Sequence, residues 1–169
     1  GACDGYNNNI KIGVGNFANV TSGNCGNTAV GHESLANLTS GFSNTAMGAN
    51  TLSANTTGVR NNAFGLGALQ GNINGSDNIA FGFYSLVNNI SGSSNVGVGN
   101  YALFGNSSGN FNVAVGQQAL SANTTGDDNT AVGYRTLSSN TTGSQNSAFG
   151  RLSLEDNTTG SFNVAIGAS

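Results

Sequence analysis

The stretch NTAVGHESLANLTSGFS (27–43) is followed directly by NTAMGANTLSANTTGVR (44–60), and NTAVGYRTLSSNTTGSQ (129–145) repeats the same template. A unit of 17 residues that opens on Asn therefore recurs along the chain. The units open at Asn27, Asn44, Asn61, Asn78, Asn95, Asn112, Asn129 and Asn146, and Asn163 opens a truncated last one. Asn9 opens an earlier unit, with one residue inserted near 24–26. Such a tandem repeat indicates a solenoid, in which each unit forms one coil and stacks on the next.

Two glycine columns decide between helix and strand. Counted from the leading Asn, position 5 is always Gly, and position 15 is Gly from Gly23 to Gly160. Paired glycines, Thr-Thr-Gly turns and β-branched residues disfavour a helix and favour short strands. We predict an all-β fold, a parallel β-solenoid or β-roll with about 17 residues per coil. Roughly nine to ten coils would make a rod about 45 Å long.

We expect one solenoid domain in three parts. Residues 1–26 form irregular N-terminal coils, 27–162 form eight regular repeats, and 163–169 form the truncated last repeat. Cys3 and Cys25 are the only cysteines and lie close to two corner glycines that should stack. We predict that they form a disulfide that staples the first coil, with two unpaired thiols as the alternative.

Positions 4 and 9 carry the large apolar residues, and we predict that these two columns form the core. The predicted core comprises Val30, Met47, Phe64, Phe81, Val98, Val115, Val132 and Phe149 at position 4, with Leu35, Leu52, Leu69, Leu86, Leu103, Leu120, Leu137 and Leu154 at position 9.

Position 3 must point to the opposite side of the strand from position 4, because side chains alternate along a strand. It is nearly always Ala, so we predict a flat outward face through which protomers associate. The predicted oligomer face comprises Ala29, Ala46, Ala63, Ala80, Gly97, Ala114, Ala131, Ala148 and Ala165.

Asparagine fills two further columns. Position 1 is always Asn, and position 12 is Asn from Asn55 to Asn157. Stacked amides can hydrogen-bond from coil to coil, so both columns predict ladders along the rod, the second facing at least partly inward. Several of these residues also begin Asn-X-Ser/Thr glycosylation motifs. We favour turn chemistry over glycosylation, since a glycan would break the ladder.

The charge pattern argues against several kinds of partner. Charged residues are 7% of the chain, the net charge is −3, and the four Lys and Arg residues form no basic stripe. We therefore expect no nucleic-acid partner. No apolar run approaches the length of about 20 residues that a membrane-spanning helix needs, so we expect no membrane insertion by this segment.

Few residues suit catalysis or metal binding. His32 is the only histidine, and we expect it to be exposed. Glu155 and Asp156 are the nearest approach to a glycosidase carboxylate pair. Asp127 and Asp128 are interpreted as a solvated turn, because acids do not recur in their columns as in a calcium-binding repeat. We predict no catalytic, metal or cofactor site and no enzymatic activity.

The pattern Asn-(Thr/Ser/Val)-Ala-(Val/Ile/Phe)-Gly, followed after two residues by a small residue and Leu, occurs in 129–137 and 112–120. It resembles the YadA-like head repeats of trimeric autotransporter adhesins. It is also similar to repeat arrays of phage tail-fibre-type surface proteins. The resemblance covers residues 9–167 and implies a left-handed β-roll in which three rods associate about an axis.

Together these features predict a structural or adhesive module of an extracellular fibre or surface adhesin, on a cell surface or virion. The expected partner is the same chain, in a trimer or an end-to-end filament, with a host surface or carbohydrate receptor as a further candidate. One alternative is an ice-binding solenoid that uses the mainly Thr column at position 13. Another is a tail-fibre or tailspike module that binds or degrades carbohydrate.

Overall fold

The computed structural model of the chain describes residues 8–19 and 24–168. In these residues the chain forms ten three-residue strands and no helix. The strands are β1 (Ile10–Ile12), β2 (Thr28–Val30), β3 (Thr45–Met47), β4 (Asn62–Phe64), β5 (Ile79–Phe81), β6 (Val96–Val98), β7 (Val113–Val115), β8 (Thr130–Val132), β9 (Ser147–Phe149) and β10 (Val164–Ile166). Each strand occupies positions 2 to 4 of its unit. The predicted all-β solenoid is confirmed.

All ten strands belong to one sheet, and each pairs in parallel with the next strand in the chain. From β2 onward the register joins equivalent positions, as where Thr45 pairs with Asn62 and Val113 with Thr130. Between β1 and β2, Ile10 pairs with Thr28, so the inserted residue is absorbed outside the strands. Every column of the repeat is therefore a physical column along the rod. The left-handed winding implied by the resemblance stays a prediction.

The apolar part of the rod's interior is built mainly from leucine and alanine. The position-9 leucines from Leu35 to Leu137 are fully buried, and Leu154 packs partly buried against the same cluster. This half of the predicted core is confirmed. The position-3 alanines from Ala29 to Ala148 are fully buried in the same cluster.

The other half of the predicted core is wrong. The position-4 residues Val30, Met47, Phe64, Phe81, Val98, Val115, Val132 and Phe149 are half-buried or exposed on the outside of the sheet. The predicted oligomer face is also wrong, because its residues point into the rod. Buried are Ala29, Ala46, Ala63, Ala80, Gly97, Ala114, Ala131 and Ala148, and Ala165 is half-buried. Positions 3 and 4 do point in opposite directions, as predicted. However, position 3 points into the rod and position 4 points outward, which is the reverse of the prediction.

The width of the coil explains the reversal. At Gly97, an added Cβ would lie 2.6 Å from Ser85 Oγ and 3.4 Å from Leu86 Cδ1. The space between strand and leucine column thus holds a methyl group at most. A Val or Phe side chain at position 3 would clash there, so the large residues at position 4 must point outward.

The two glycine columns have different causes. At position 5 the backbone has positive φ, for example 138° at Gly116, which L-residues with a side chain rarely adopt. At position 15, an added Cβ on Gly58 would collide with the Gly75 carbonyl oxygen of the next coil and with Asn55 Oδ1. The first column therefore makes a corner, and the second lets neighbouring coils approach closely.

Positions 7, 9 and 17 adopt left-handed backbone mostly at residues other than glycine, as at Tyr101 (φ 60°), Leu103 (φ 52°) and Phe111 (φ 57°). Across the described ranges, none of the non-glycine residues with positive φ is Val, Ile or Thr. Branching at Cβ makes this conformation costlier, so these columns exclude such residues. Their absence from three columns was the sequence signal for this backbone, and sequence reasoning missed it.

Candidate functional site

The outside of the sheet carries two adjacent columns of side chains, positions 2 and 4 of each strand, which we call the outer face. In β5, for example, Ile79 and Phe81 are exposed while Ala80 between them is buried. The outer face comprises Ile10, Ile12, Thr28, Val30, Thr45, Met47, Asn62, Phe64, Ile79, Phe81, Val96, Val98, Val113, Val115, Thr130, Val132, Ser147, Phe149, Val164 and Ile166. None of these residues is charged, and position 4 is apolar in all ten strands.

Equivalent side chains of the outer face touch from coil to coil. The rings of Phe64 and Phe81 stack with centroids 4.3 Å apart and planes 15° apart. This separation is close to the spacing of paired strands, about 4.7 to 4.9 Å, so the strand spacing sets the ring spacing. The apolar column at position 4 runs through all ten strands, along about 42 Å of the rod. A continuous apolar surface of this kind marks an interaction site more often than scattered exposed residues do.

The position-1 asparagines form the first predicted ladder. Asn95 donates from its backbone N–H to Asn78 Oδ1 at 3.0 Å and from Nδ2 to the same oxygen at 3.2 Å. Its Nδ2 also donates to the Gly109 carbonyl oxygen at 2.8 Å. The same pattern recurs from Asn27 to Asn146, whose amides are buried. The predicted ladder is confirmed.

The position-12 asparagines form a second ladder, which also faces inward as predicted. Asn89 Nδ2 donates to Asn72 Oδ1 at 2.8 Å and to the Gly92 carbonyl oxygen at 2.9 Å. Asn106 and Asn123 continue the column, and all four residues are fully buried. Because these amides are buried and already bonded, we keep the interpretation of their Asn-X-Ser/Thr motifs as ladder and turn chemistry.

Two of the acidic residues considered for catalysis or calcium binding, Glu155 and Asp127, take part in contacts between coils. Glu155 Oε1 lies 2.7 Å from Arg135 Nη2. Glu155 and its neighbour Asp156 border a cavity of about 420 Å³. Asp127 Oδ1 accepts hydrogen bonds from the Asn110 backbone N–H at 2.6 Å and from Asn110 Nδ2 at 3.2 Å.

No group of three His, Cys, Asp or Glu side chains suited to a metal ion occurs among the described residues. His32 is exposed, as expected. Cys25 is buried. Its predicted partner Cys3 lies outside the described residues, so the disulfide stays a prediction.

The position-13 hydroxyls also join neighbouring coils. Thr56 Oγ1 donates to the Ile73 carbonyl oxygen at 3.1 Å, and Thr124 Oγ1 donates to that of Thr141 at 2.9 Å. These donors are engaged within the protein, which weighs against a column that orders water at an ice surface.

The fold and the outer face define the class of the protein, a parallel β-solenoid with an apolar surface along its sheet. No family model, no curated protein and no solved structure matches the chain. The resemblance to YadA-like head repeats therefore stays a prediction. Within the described residues, the chain has no helix of the length and apolarity that crossing a bilayer requires.

Proposed function

We propose that the chain is a non-catalytic structural or adhesive module of an extracellular fibre or surface adhesin, in which rods associate side by side through the outer face. The observation that carries this proposal is the uncharged outer face, with an apolar residue at position 4 of all ten strands. Burying this column removes apolar surface from water, at about 25 cal/mol per Å². The composition supports an architectural role, because charged residues are 7% of the chain.

The repeat favours a second copy of the chain as the partner. The outer face presents ridges at the strand spacing of about 4.8 Å, so a partner must match that spacing over about 42 Å to pack well along its length. Another rod of the same sequence has this spacing. The resemblance stated above favours three rods around a common axis, whereas an end-to-end filament would use the sheet edges and leave the outer face uncovered.

Light scattering with charged variants of the outer face tests the proposal. We expect the chain to have the mass of a closed oligomer, and the double variant Val98→Lys/Val115→Lys to be monomeric, because two buried lysines would be unpaired. The matched control Thr125→Lys/Thr142→Lys places the same charges on another exposed column and should keep the oligomer. Circular dichroism checks that each variant is folded.

Two outcomes would contradict this assembly. A monomeric wild-type chain would exclude self-association through the outer face. A mass that rises with concentration, equally in the wild type and in Val98→Lys/Val115→Lys, would instead indicate end-to-end growth.

Polysaccharide cleavage is the second candidate, favoured by the cavity of about 420 Å³ that Glu155 and Asp156 border. The ion pair of Glu155 with Arg135 weighs against it, since that carboxylate is already engaged. A reducing-sugar assay on polysaccharides compares the wild type with Glu155→Gln. Unchanged activity in the variant would exclude Glu155 and Asp156 as a catalytic carboxylate pair.

A further inference from the structure

Three central coils differ from their neighbours on one part of the surface. Positions 6 to 13 read ANTLSANT (49–56) and QQALSANT (117–124) in the flanking units. In the central units they read LGALQGNI (66–73), FYSLVNNI (83–90) and NYALFGNS (100–107). The buried Leu and Asn keep their places, and apart from the buried position 8 most of the changes fall on positions that neither the ladders nor the core require. Such a local departure from a regular repeat points to a role of its own.

The departures bring four aromatic rings together. Phe83 and Tyr101 meet edge to face with centroids 5.4 Å apart, and Tyr84 lies 4.2 Å from Phe83. Phe104 lies 5.6 Å from Tyr101. The Tyr84 ring covers Gly67, where a Cβ would collide with it. The rings thus restrain one another and present a fixed aromatic surface.

A cavity of about 310 Å³ opens beside these rings, lined by Tyr101, Phe104, Gln118, Ser121 and Ala122. This volume falls at the small end of the usual range for ligand sites, about 300 to 1,000 Å³. No lining residue is an acid or a base. Within the described part of the chain, no side-chain hydrogen bond involves the Tyr101 hydroxyl or the Gln118 amide. The cavity therefore combines ring faces with two polar groups that are free to bind a ligand.

We propose that this cavity binds a sugar ring of a neutral glycan. A pyranose has an apolar C–H face that can pack on the rings of Tyr101 and Phe104, and a rim of hydroxyls that can bond to Gln118 and Tyr101. A phosphate or a charged peptide would find no counter-ion among the lining residues. The proposal deepens the adhesive part of the proposed function by naming the receptor class, and it does not require the rods to associate.

The test screens the folded chain against an array of neutral and acidic glycans, followed by saturation-transfer NMR with the neutral glycans bound. We expect a neutral glycan to bind, and Tyr101→Ala to weaken binding at least about tenfold. Gln118→Ala, which removes no hydrogen bond within the protein, should also weaken it. The control Phe111→Ala truncates an aromatic side chain outside the cavity that is 62% exposed, and should bind as the wild type does. Circular dichroism and melting temperature confirm folding.

Binding to no neutral glycan, preference for acidic glycans, or equal loss in Phe111→Ala would overturn the proposal. The monomeric variant Val98→Lys/Val115→Lys separates it from the assembly proposal. That variant should still bind the glycan, while Gln118→Ala should keep the oligomer mass, so either proposal can fail without the other.

Discussion

The two sides of the ten-stranded sheet pack in opposite ways. On the inner side Ala114 is fully buried, whereas its neighbour Val115, on the outer face, is 37% exposed. Small residues fill the inside and large ones lie outside, which is the reverse of the pattern that hydrophobicity alone favours. In a coil this narrow, the space available decides which side chains are buried.

The inner side also differs in what holds it together. Two columns of buried Asn run beside the Leu and Ala columns, so much of the interior is bonded by amides instead of packed by apolar bulk. Such a buried polar network is stable only when every member has its partners. We therefore expect the inner side to tolerate few changes and the outer face to tolerate many without unfolding.

A break in the ladder should have the largest effect. Asn95→Leu removes four hydrogen bonds, to Asn78, to Gly109 and two from Asn112, and leaves buried polar groups without partners. We expect the free energy of unfolding to fall by about 3 to 5 kcal/mol, measured by urea denaturation. The control Asn74→Ala changes an exposed amide and should cost under about 0.5 kcal/mol. A fall of less than about 1 kcal/mol in Asn95→Leu would show that the ladder contributes little.

An exchange of sizes across one strand tests the role of space directly. Ala114→Val adds bulk where the interior has room for a methyl group, and should cost about 2 to 3 kcal/mol through overpacking. Val115→Ala removes bulk from the partly exposed outer face and should cost less than about 1 kcal/mol in the monomer. Thermal unfolding measured at low protein concentration compares the two. Equal costs would refute the assignment of the two sides.

A β-branched substitution in the leucine column, whose backbone is left-handed, should have a smaller effect on stability. Leu103 is buried with φ 52°, so Leu103→Ile places a β-branched side chain in a conformation that strains it. We expect a loss of about 2 kcal/mol. Leu103→Met keeps the volume without the branch and should cost under about 1.5 kcal/mol. If urea denaturation gave both variants the same stability, packing alone would explain the column.

Much of this architecture was predictable from the sequence, because stacking places equivalent residues of every coil in the same environment. Each column therefore keeps the same type of residue. The Asn, Gly and Leu columns needed only the alignment of units. The direction of positions 3 and 4 was not predictable from alternation, since a period of two says that Ala114 and Val115 oppose each other but not which is inside. The width of the coil decides that, and it depends on all 17 positions together.

The cavity beside the aromatic rings was harder to predict from the sequence. Phe83 and Tyr101 lie in different units, and only the register of the coils brings their rings together. The departure of 66–107 from the repeat was visible in the sequence, but the two unbonded polar groups beside the rings were not.

The smallest effect on stability is expected from the loss of an ion pair that joins two coils on the surface of the rod. Arg60 donates from Nε to Asp77 Oδ1 at 2.6 Å and from Nη2 to Asp77 Oδ2 at 2.8 Å, joining adjacent coils as the ladders do. The hydrogen bond from Arg60 lowers the pKa of the Asp77 carboxyl, against a weaker opposing effect of burial. A lowered pKa in the folded state stabilises the fold above the pKa of the unfolded chain, and this contribution is lost as pH falls through the folded-state pKa.

Asp77→Asn should therefore lower the melting temperature slightly at neutral pH and leave it unchanged in strong acid, where the wild-type carboxyl is protonated as well. Because both side chains are exposed to water and salt, the loss should be far smaller than that of Asn95→Leu. Asp128→Asn, at the same position of a later unit, is the matched control and should leave the melting temperature at neutral pH nearly unchanged, because no ion pair joins Asp128 to another coil in the described ranges. A loss for Asp77→Asn as large as that for Asn95→Leu would mean that burial is not what makes the inner ladders strong.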